Sequence, residues 1–141
     1  MADFLTAHKR SAVHEGGWCD VPGDAGGETY KGIARTRHPG WAGWAIVDAW
    51  KKKNGRPKHN SVIPDDTLNR MVLSFYKQQF WDKVWGDKIQ SQAYANELYD
   101  MAVNAGTKAA IMLAQSHLEQ VQSGAMSNHL LDKINNRNAT A

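Results

Sequence analysis

The segment of residues 15–33 most constrains how this chain can fold, because glycine recurs throughout it. Ordering so many glycines is costly in chain entropy, so their density indicates a tight and specific backbone path. With Pro22 among them, residues 16–34 are unsuited to a helix and predict a turn or a short hairpin. The segment also carries Glu15, then Asp24 after eight intervening residues, then Thr29 after four more.

Helical periodicity predicts a mainly α fold around this segment, with a small glycine-rich β-hairpin after the first helix. Asp3 is the predicted N-cap of the first helix, and Asp65 or Asp66 that of the third. In the first helix, Phe4, Leu5, His8, Ala12 and Val13 share one side. The predicted helices cover residues 3–15, 41–53, 65–83, 92–104, 107–121 and 126–136, and residues 54–64 form a polar loop.

Length and composition predict one domain over residues 1–141, with room for a single core. The net charge of +3 and the pI near 9.0 favour anionic partners without selecting one. Cys19 is the single cysteine, so no internal disulfide can form. The first residues lack the apolar run of a signal peptide, and no stretch approaches the roughly 20 apolar residues of a membrane span.

The carboxylates of the hairpin segment favour glycoside hydrolysis, which needs a proton donor and a second carboxylate across the sugar. Glu15 follows an apolar helix face and precedes Trp18, a setting that can keep a carboxyl protonated. Asp24 lies between glycines in a polar turn and is expected to stay ionised. Thr29 could then orient a water beside Asp24.

Other interpretations of these residues stay open at this point. Glu15 could be a surface residue, Asp24 a turn former, and Thr29 a strand or capping residue. Asp20 and Glu28 compete for the role of second carboxylate. The six histidines show no metal-ligand spacing, so no metal or other cofactor is predicted.

The run from Glu15-Gly-Gly-Trp18 through Asp24 to Gly26-Gly27-Glu28-Thr29 and Gly32-Ile33 resembles the signature of the family 108 glycoside hydrolases, lysozyme-like N-acetylmuramidases. The segments from Tyr76 to Trp81 and from Tyr99 to Gln115 also resemble this family, though less specifically. The resemblance covers about residues 4–118. The resemblance implies that Glu15 is the catalytic acid. The wider phage-lysozyme group has the same Glu-to-Asp gap, which ranks Asp24 above Asp20, whereas the gap to Thr29 is one residue shorter here. Residues 119–141 only partly resemble the C-terminal wall-binding portion of such proteins.

The resemblance also makes Asp100 and Asn104, which share a helix face, candidates to line a substrate cleft. An intrahelical hydrogen bond, or support of the hairpin backbone, is an equal alternative for this pair. Trp18 and Trp41 are candidate platforms for stacking a sugar. The remaining tryptophans are expected in the core.

The resemblance therefore implies a peptidoglycan hydrolase that cleaves the bond between N-acetylmuramic acid and N-acetylglucosamine. Its expected partner is the glycan strand, with no nucleic acid, no stable membrane insertion and a monomeric state. It is expected to be made in the cytoplasm and to reach the wall after holin-type release or specialised export. The alternatives are an inactive lysozyme-like glycan-binding or secretion-associated protein and a basic helical nucleic-acid binder.

Overall fold

The computed structural model describes residues 1–11, 16–23 and 27–140, with side chains described up to residue 136 at the C-terminal end. Its α-helices are α1 (Phe4–Ser11), α2 (Gly43–Asn54), α3 (Asp66–Tyr76), α4 (Gln92–Ala105), α5 (Thr107–His117) and α6 (Asn128–Thr140). Its strands are β1 (Trp18–Cys19), β2 (Thr29–Tyr30) and β3 (Ile33–Ala34). A π-helical turn (Lys77–Trp81) and 3-10 turns (Asp82–Val84 and Gly86–Lys88) follow α3.

The chain divides into two compact units. The helical unit comprises Met1–Ala12 and Tyr76–Ala141, and the hairpin unit comprises Val13–Phe75. The helical unit thus contains α1, α4, α5 and α6. The hairpin unit contains the three strands, α2 and all of α3 except its last residue.

The strands of the hairpin unit form an antiparallel sheet in the order β1-β2-β3. Trp18 pairs with Tyr30 and Cys19 with Thr29 across β1 and β2, and Thr29 also pairs with Ala34 of β3. The Tyr30 ring is fully buried, and its hydroxyl donates to Asn69 Oδ1 at 2.6 Å and accepts from the Ile63 backbone N–H at 3.1 Å. These bonds connect the middle strand to α3.

The outer edge of β1 is bonded to the loop that follows α2. The Trp18 N–H donates to the Ser61 carbonyl at 2.9 Å, and the Asn60 N–H donates to the Trp18 carbonyl at 2.8 Å. The preceding Gly17 is buried so close to this loop that a Cβ there would overlap the Ser61 carbonyl. Glycine at this position is therefore required by a close backbone approach.

In the helical unit, α1 packs along α4 through an aromatic cluster. Phe4 lies edge-on to Tyr99, with ring centroids 5.7 Å apart, and also contacts Trp81. His8 is buried, with its Nδ1 2.7 Å from the Tyr99 hydroxyl. At the end of α1, the Ser11 hydroxyl donates to Asp100 Oδ1 at 2.9 Å.

The predicted fold class, mainly helical with a small β-hairpin after the first helix, is confirmed. Both predicted caps are also found, because Asp3 accepts from the Thr6 N–H and Asp65 from the Leu68 N–H. Leu5 is a correction: it is 54% exposed, whereas Phe4 and His8 of that predicted face are buried and contact Tyr99 of α4, and Ala12 and Val13 lie outside the described residues. The prediction of a single domain stays a prediction.

Several helix ends differ from those predicted. The third helix leaves α geometry at Tyr76 and continues as the π-helical and 3-10 turns, and α5 ends at His117 instead of 121. The last helix runs to Thr140 instead of 136. Residues 12–15 of the predicted first helix lie outside the described residues. None of the helices described is long and apolar enough to cross a membrane.

Candidate active site

The predicted acid and second carboxylate, Glu15 and Asp24, both lie outside the described residues. The structure describes the chain up to Ser11 before Glu15, and up to Gly23 and from Gly27 around Asp24. The described part of this segment is the hairpin of β1 and β2, whose connection includes Asp24 and whose second strand begins with Thr29.

Thr29 begins β2, the middle strand of the sheet, and is half-buried. It has a strand neighbour on each side, Cys19 on β1 and Ala34 on β3. The predicted third member of the site is thus part of a paired strand. Its pairing on both sides also fits the alternative in which Thr29 is a structural strand residue.

The neighbouring residue, Glu28, is half-buried, and its carboxylate accepts three hydrogen bonds. Trp18 Nε1 donates to Oε2 at 2.7 Å, Lys51 Nζ donates to Oε2 at 2.7 Å, and Arg35 Nη1 donates to Oε1 at 2.9 Å. The side chain of Glu28 is only 10% exposed. The Glu28 backbone carbonyl also accepts from the Arg35 N–H at 2.9 Å.

These contacts decide the charge of Glu28. Burial by itself raises the pKa of the carboxyl, but the hydrogen bonds from Lys51, Trp18 and Arg35 outweigh burial and lower the pKa below its ordinary value of 4.5. Glu28 is therefore ionised at neutral pH. A general acid must be protonated before it can donate, so Glu28 is unsuited to that role.

Arg35 continues the network outward to Asp48 on α2. Its two terminal nitrogens bond the two Asp48 oxygens at 2.7 and 2.6 Å, a bidentate arrangement. The hydrogen bond to Asp48, and then that to Glu28, raises the pKa of Arg35, and the same pairing lowers the pKa of Asp48. Glu28 and Asp48 are therefore ionised at neutral pH while Arg35 keeps its positive charge, so these groups hold the hairpin by charge pairing.

The two candidate sugar platforms differ in exposure. The Trp18 side chain is buried, and the Arg56 guanidinium lies over its ring, 4.9 Å from the centroid. A sugar could stack on that ring only after Arg56 moved aside. Trp41 is half-buried and packs edge-on against Trp44, with the centroids 5.4 Å apart. Sugar stacking on either ring stays a prediction.

Asp100 and Asn104 lie on α4 of the helical unit. Asn104 Nδ2 donates to the backbone carbonyl of Asp100 at 2.9 Å, which is the intrahelical bond that the sequence left as an alternative. The Asp100 carboxylate is half-buried and accepts from Ser11. Asp100 therefore fixes the end of α1, four residues before Glu15 in the chain, and its contact with substrate stays a prediction.

Comparison with known families matches residues 9–106 to the family described as glycosyl hydrolase 108. The chain belongs to glycosyl hydrolase family 108. The match begins within α1 and ends directly after α4, so it includes the hairpin and its charged network. Membership of family 108 identifies the protein as a glycosidase and supports peptidoglycan as its polymer.

Among solved structures, SagA of Brucella abortus is similar to this family 108 chain, with 24% sequence identity and a TM-score of 0.61. The similarity covers 94% of this chain and 68% of SagA. At that identity it shows a shared fold. A search of the curated proteins found no match.

The described part of this family 108 chain contains no group of three or more His, Cys, Asp or Glu side chains that could hold a metal ion. A groove of about 530 Å³ lies between α4 and α5, with an apolar lining that includes Tyr94, Met101 and Leu113. None of the predicted site residues lines this groove. Of the described candidate residues, Trp18, Thr29 and Trp41 belong to the hairpin unit, whereas Asp100 and Asn104 belong to the helical unit.

Sequence reasoning missed the part that Glu28 takes in the hairpin of this family 108 chain. Its three donors are 10, 7 and 23 residues away, so no short motif reveals them. The only available signal was an acidic residue beside Thr29 with basic residues on the following helix.

Proposed function

We propose that this protein is an N-acetylmuramidase that cleaves the MurNAc–GlcNAc bond of peptidoglycan. Glu15 donates the proton to the leaving oxygen, and Asp24, with Thr29, positions a water or stabilises the oxocarbenium-like transition state. The family 108 match over residues 9–106 carries the proposal, since it includes the segment with all three residues. No cofactor takes part, and the enzyme acts as a monomer on the cell wall after release or export from the cytoplasm.

The ionised state of Glu28 supports Glu15 as the acid. Glu28, the neighbour of Thr29, is held as an anion by three donors and therefore cannot take the place of Glu15 as the acid. Asp20 remains a competitor of Asp24 for the second position. The separation of the two reacting carboxyls sets the stereochemistry: about 5 Å gives retention and about 6.5–9.5 Å gives inversion.

The test is turbidity loss of purified peptidoglycan, with analysis of the products for new reducing ends. We expect the wild type to release muramic-acid reducing ends and Glu15→Gln to lose this activity by at least about a hundredfold, because removal of a general acid costs that much. If Glu15→Gln still lyses peptidoglycan, a residue other than Glu15 is the catalytic acid. A wild type that binds the wall but never cleaves it would favour the inactive glycan-binding alternative.

A matched pair of variants separates the two candidates for the second carboxylate. Asp24→Asn and Asp20→Asn remove one charge each from the same connection between β1 and β2. We expect Asp24→Asn to lose activity and Asp20→Asn to retain it, since Asp20 makes its described contact, with Arg56, through the backbone carbonyl. The reverse result would move the role to Asp20.

A further inference from the structure

The Glu28 carboxylate joins every strand of the small sheet to α2. Trp18 lies on β1, Glu28 immediately precedes β2, Arg35 immediately follows β3, and Lys51 lies on α2. Each strand is only two residues long, so the backbone ladder contains few hydrogen bonds. The three hydrogen bonds to the half-buried Glu28 carboxylate therefore add substantially to the few backbone hydrogen bonds that stabilise this sheet.

The bond between Trp18 and Glu28 also closes the β1–β2 connection at its base. Trp18 is the first residue of β1 and Glu28 is the last residue before β2, so the 2.7 Å bond ties the last residue of the connection that carries Asp24 to β1, the strand from which that connection leaves. The Trp18 ring is itself fixed, because it is buried and lies beneath Arg56 and Lys51. The position of one end of the connection thereby sets the position of the other.

We infer that Glu28 is a positioning residue for glycosidic cleavage: its bonds to Trp18, Arg35 and Lys51 fix the ends of the β1–β2 connection and the adjacent Thr29. The inference rests on the proposed function. Glu28 itself does not touch the reacting atoms in this role. Misplacement of reacting groups by about 1 Å can reduce a rate by about a hundredfold, so a residue that only fixes the hairpin can matter strongly for turnover.

The test compares Glu28→Gln with Asn69→Ala, a control in the same unit. Glutamine keeps the shape of the side chain and an acceptor, but it removes the charge that pairs with Arg35 and Lys51. Asn69 bonds Tyr30 and the Ile63 carbonyl and makes no described bond to the charged network, so its loss weakens the unit by another route. Both variants are measured at a temperature where circular dichroism shows them to be folded.

Steady-state kinetics on soluble glycan-strand fragments give the first measurement. We expect kcat of Glu28→Gln to fall by about tenfold to a hundredfold while KM changes by less than about threefold, and kcat of Asn69→Ala to stay near wild type. The pH at which activity falls on the alkaline side, where the proton donor ionises, should not move, because Glu28 is not the proton donor. A rise in KM with unchanged kcat, a shifted pH profile, or equal losses in both variants would each overturn the inference.

Hydrogen exchange provides a measurement that is independent of activity. We expect faster exchange at the backbone amides of Asp20, Val21, Gly23 and Gly27 in Glu28→Gln but not in Asn69→Ala. Unchanged exchange there would refute the inference even if kcat fell.

If Glu28→Gln does not fold, Trp18→Phe removes one of the three bonds and should show the same kcat and exchange changes at smaller size. A wild type without hydrolytic activity would refute the proposed function, whereas the exchange data would still decide whether Glu28 fixes the connection.

Discussion

At the scale of single residues, Glu28 shows that burial alone does not make a carboxyl a proton donor. A poorly solvated carboxyl is expected to stay protonated, and burial does act on Glu28 in that direction. Three donors at 2.7 to 2.9 Å reverse the effect and keep it ionised. In this hairpin the number of donors around a carboxylate therefore distinguishes a supporting residue from an acid.

The first prediction concerns the stability of Glu28→Gln as a function of pH. A carboxyl whose pKa is lowered in the folded state stabilises that state above its unfolded pKa, here near 4.5, and the contribution disappears as pH falls through the folded value. We expect Glu28→Gln to reduce the free energy of unfolding by about 1.5–3 kcal/mol at pH 7, the range for a hydrogen bond to a charged group. The difference from wild type should shrink steadily below pH 4.5.

Urea unfolding at a series of pH values measures this difference. Asp3 also has a lowered pKa, but it makes its hydrogen bonds to Thr6, away from the Glu28 network, so its contribution cancels in the comparison. A difference that did not depend on pH would show that the second acceptor oxygen of Glu28, and not its charge, stabilises the sheet.

Residue-level prediction from sequence succeeded where the partner is near in the chain. The Asp3 cap was predicted, and the cap of the third helix was narrowed to Asp65 or Asp66, because a cap bonds an N–H three residues onward; the structure has Asp65. The role of Glu28 was not predicted because Trp18, Arg35 and Lys51 reach it only after three strands and a helix have formed. The roles of Glu15 and Asp24 rest on sequence and family alone.

At the scale of elements, the hairpin depends on its contact with the loop after α2. The second prediction is that Gly17→Ala destabilises the protein by about 2 kcal/mol or more, because the added methyl meets backbone atoms of Ser61 that cannot move cheaply. Gly40→Ala is the matched control, since a Cβ at Gly40 meets nothing within 4 Å. Thermal unfolding of both variants tests this, and equal melting temperatures would contradict it.

The end of α5 gives a third prediction, on Glu119. The Gln120 N–H bonds the Gln115 carbonyl and the Glu119 N–H bonds the Ser116 carbonyl, which is a Schellman motif. Glu119 has a φ of 56°, in the left-handed region that favours glycine. We therefore expect Glu119→Gly to raise the free energy of unfolding by up to about 1 kcal/mol. Glu119→Ala serves as the control and should give no such gain in urea unfolding.

The predicted elements were most accurate where sequence signals coincide. The fourth helix, predicted over 92–104, runs over Gln92–Ala105 because an N-capping serine precedes it and Gly106 follows it. The fifth helix was predicted too long because Glu119, not a glycine, takes the terminating left-handed conformation. The apolar period of the third helix continues through the π-helical turn, so periodicity could not show where α geometry ends.

At the scale of the whole molecule, the net charge of +3 bears on how the protein meets an anionic polymer. The fourth prediction is that Glu15→Gln, which should bind without cleaving, associates less with peptidoglycan as salt rises from about 0.05 M to about 0.5 M, because screening shortens the reach of the charges. Co-sedimentation with purified sacculi measures the bound fraction. Binding that is insensitive to salt would assign recognition to uncharged contacts.

The bonds between Trp18 and residues 60–61 also have a consequence for the order of folding. Pairing of β2 with β3 and of β1 with β2 joins residues close in the chain, whereas the Trp18–Ser61 contact closes a much longer loop. Closing longer loops costs more chain entropy, so contacts distant in sequence tend to form late. During refolding, the outer edge of β1 should therefore gain protection from hydrogen exchange after the turn between β2 and β3, and the hairpin that carries the predicted Asp24 would be among the last parts to reach its final position.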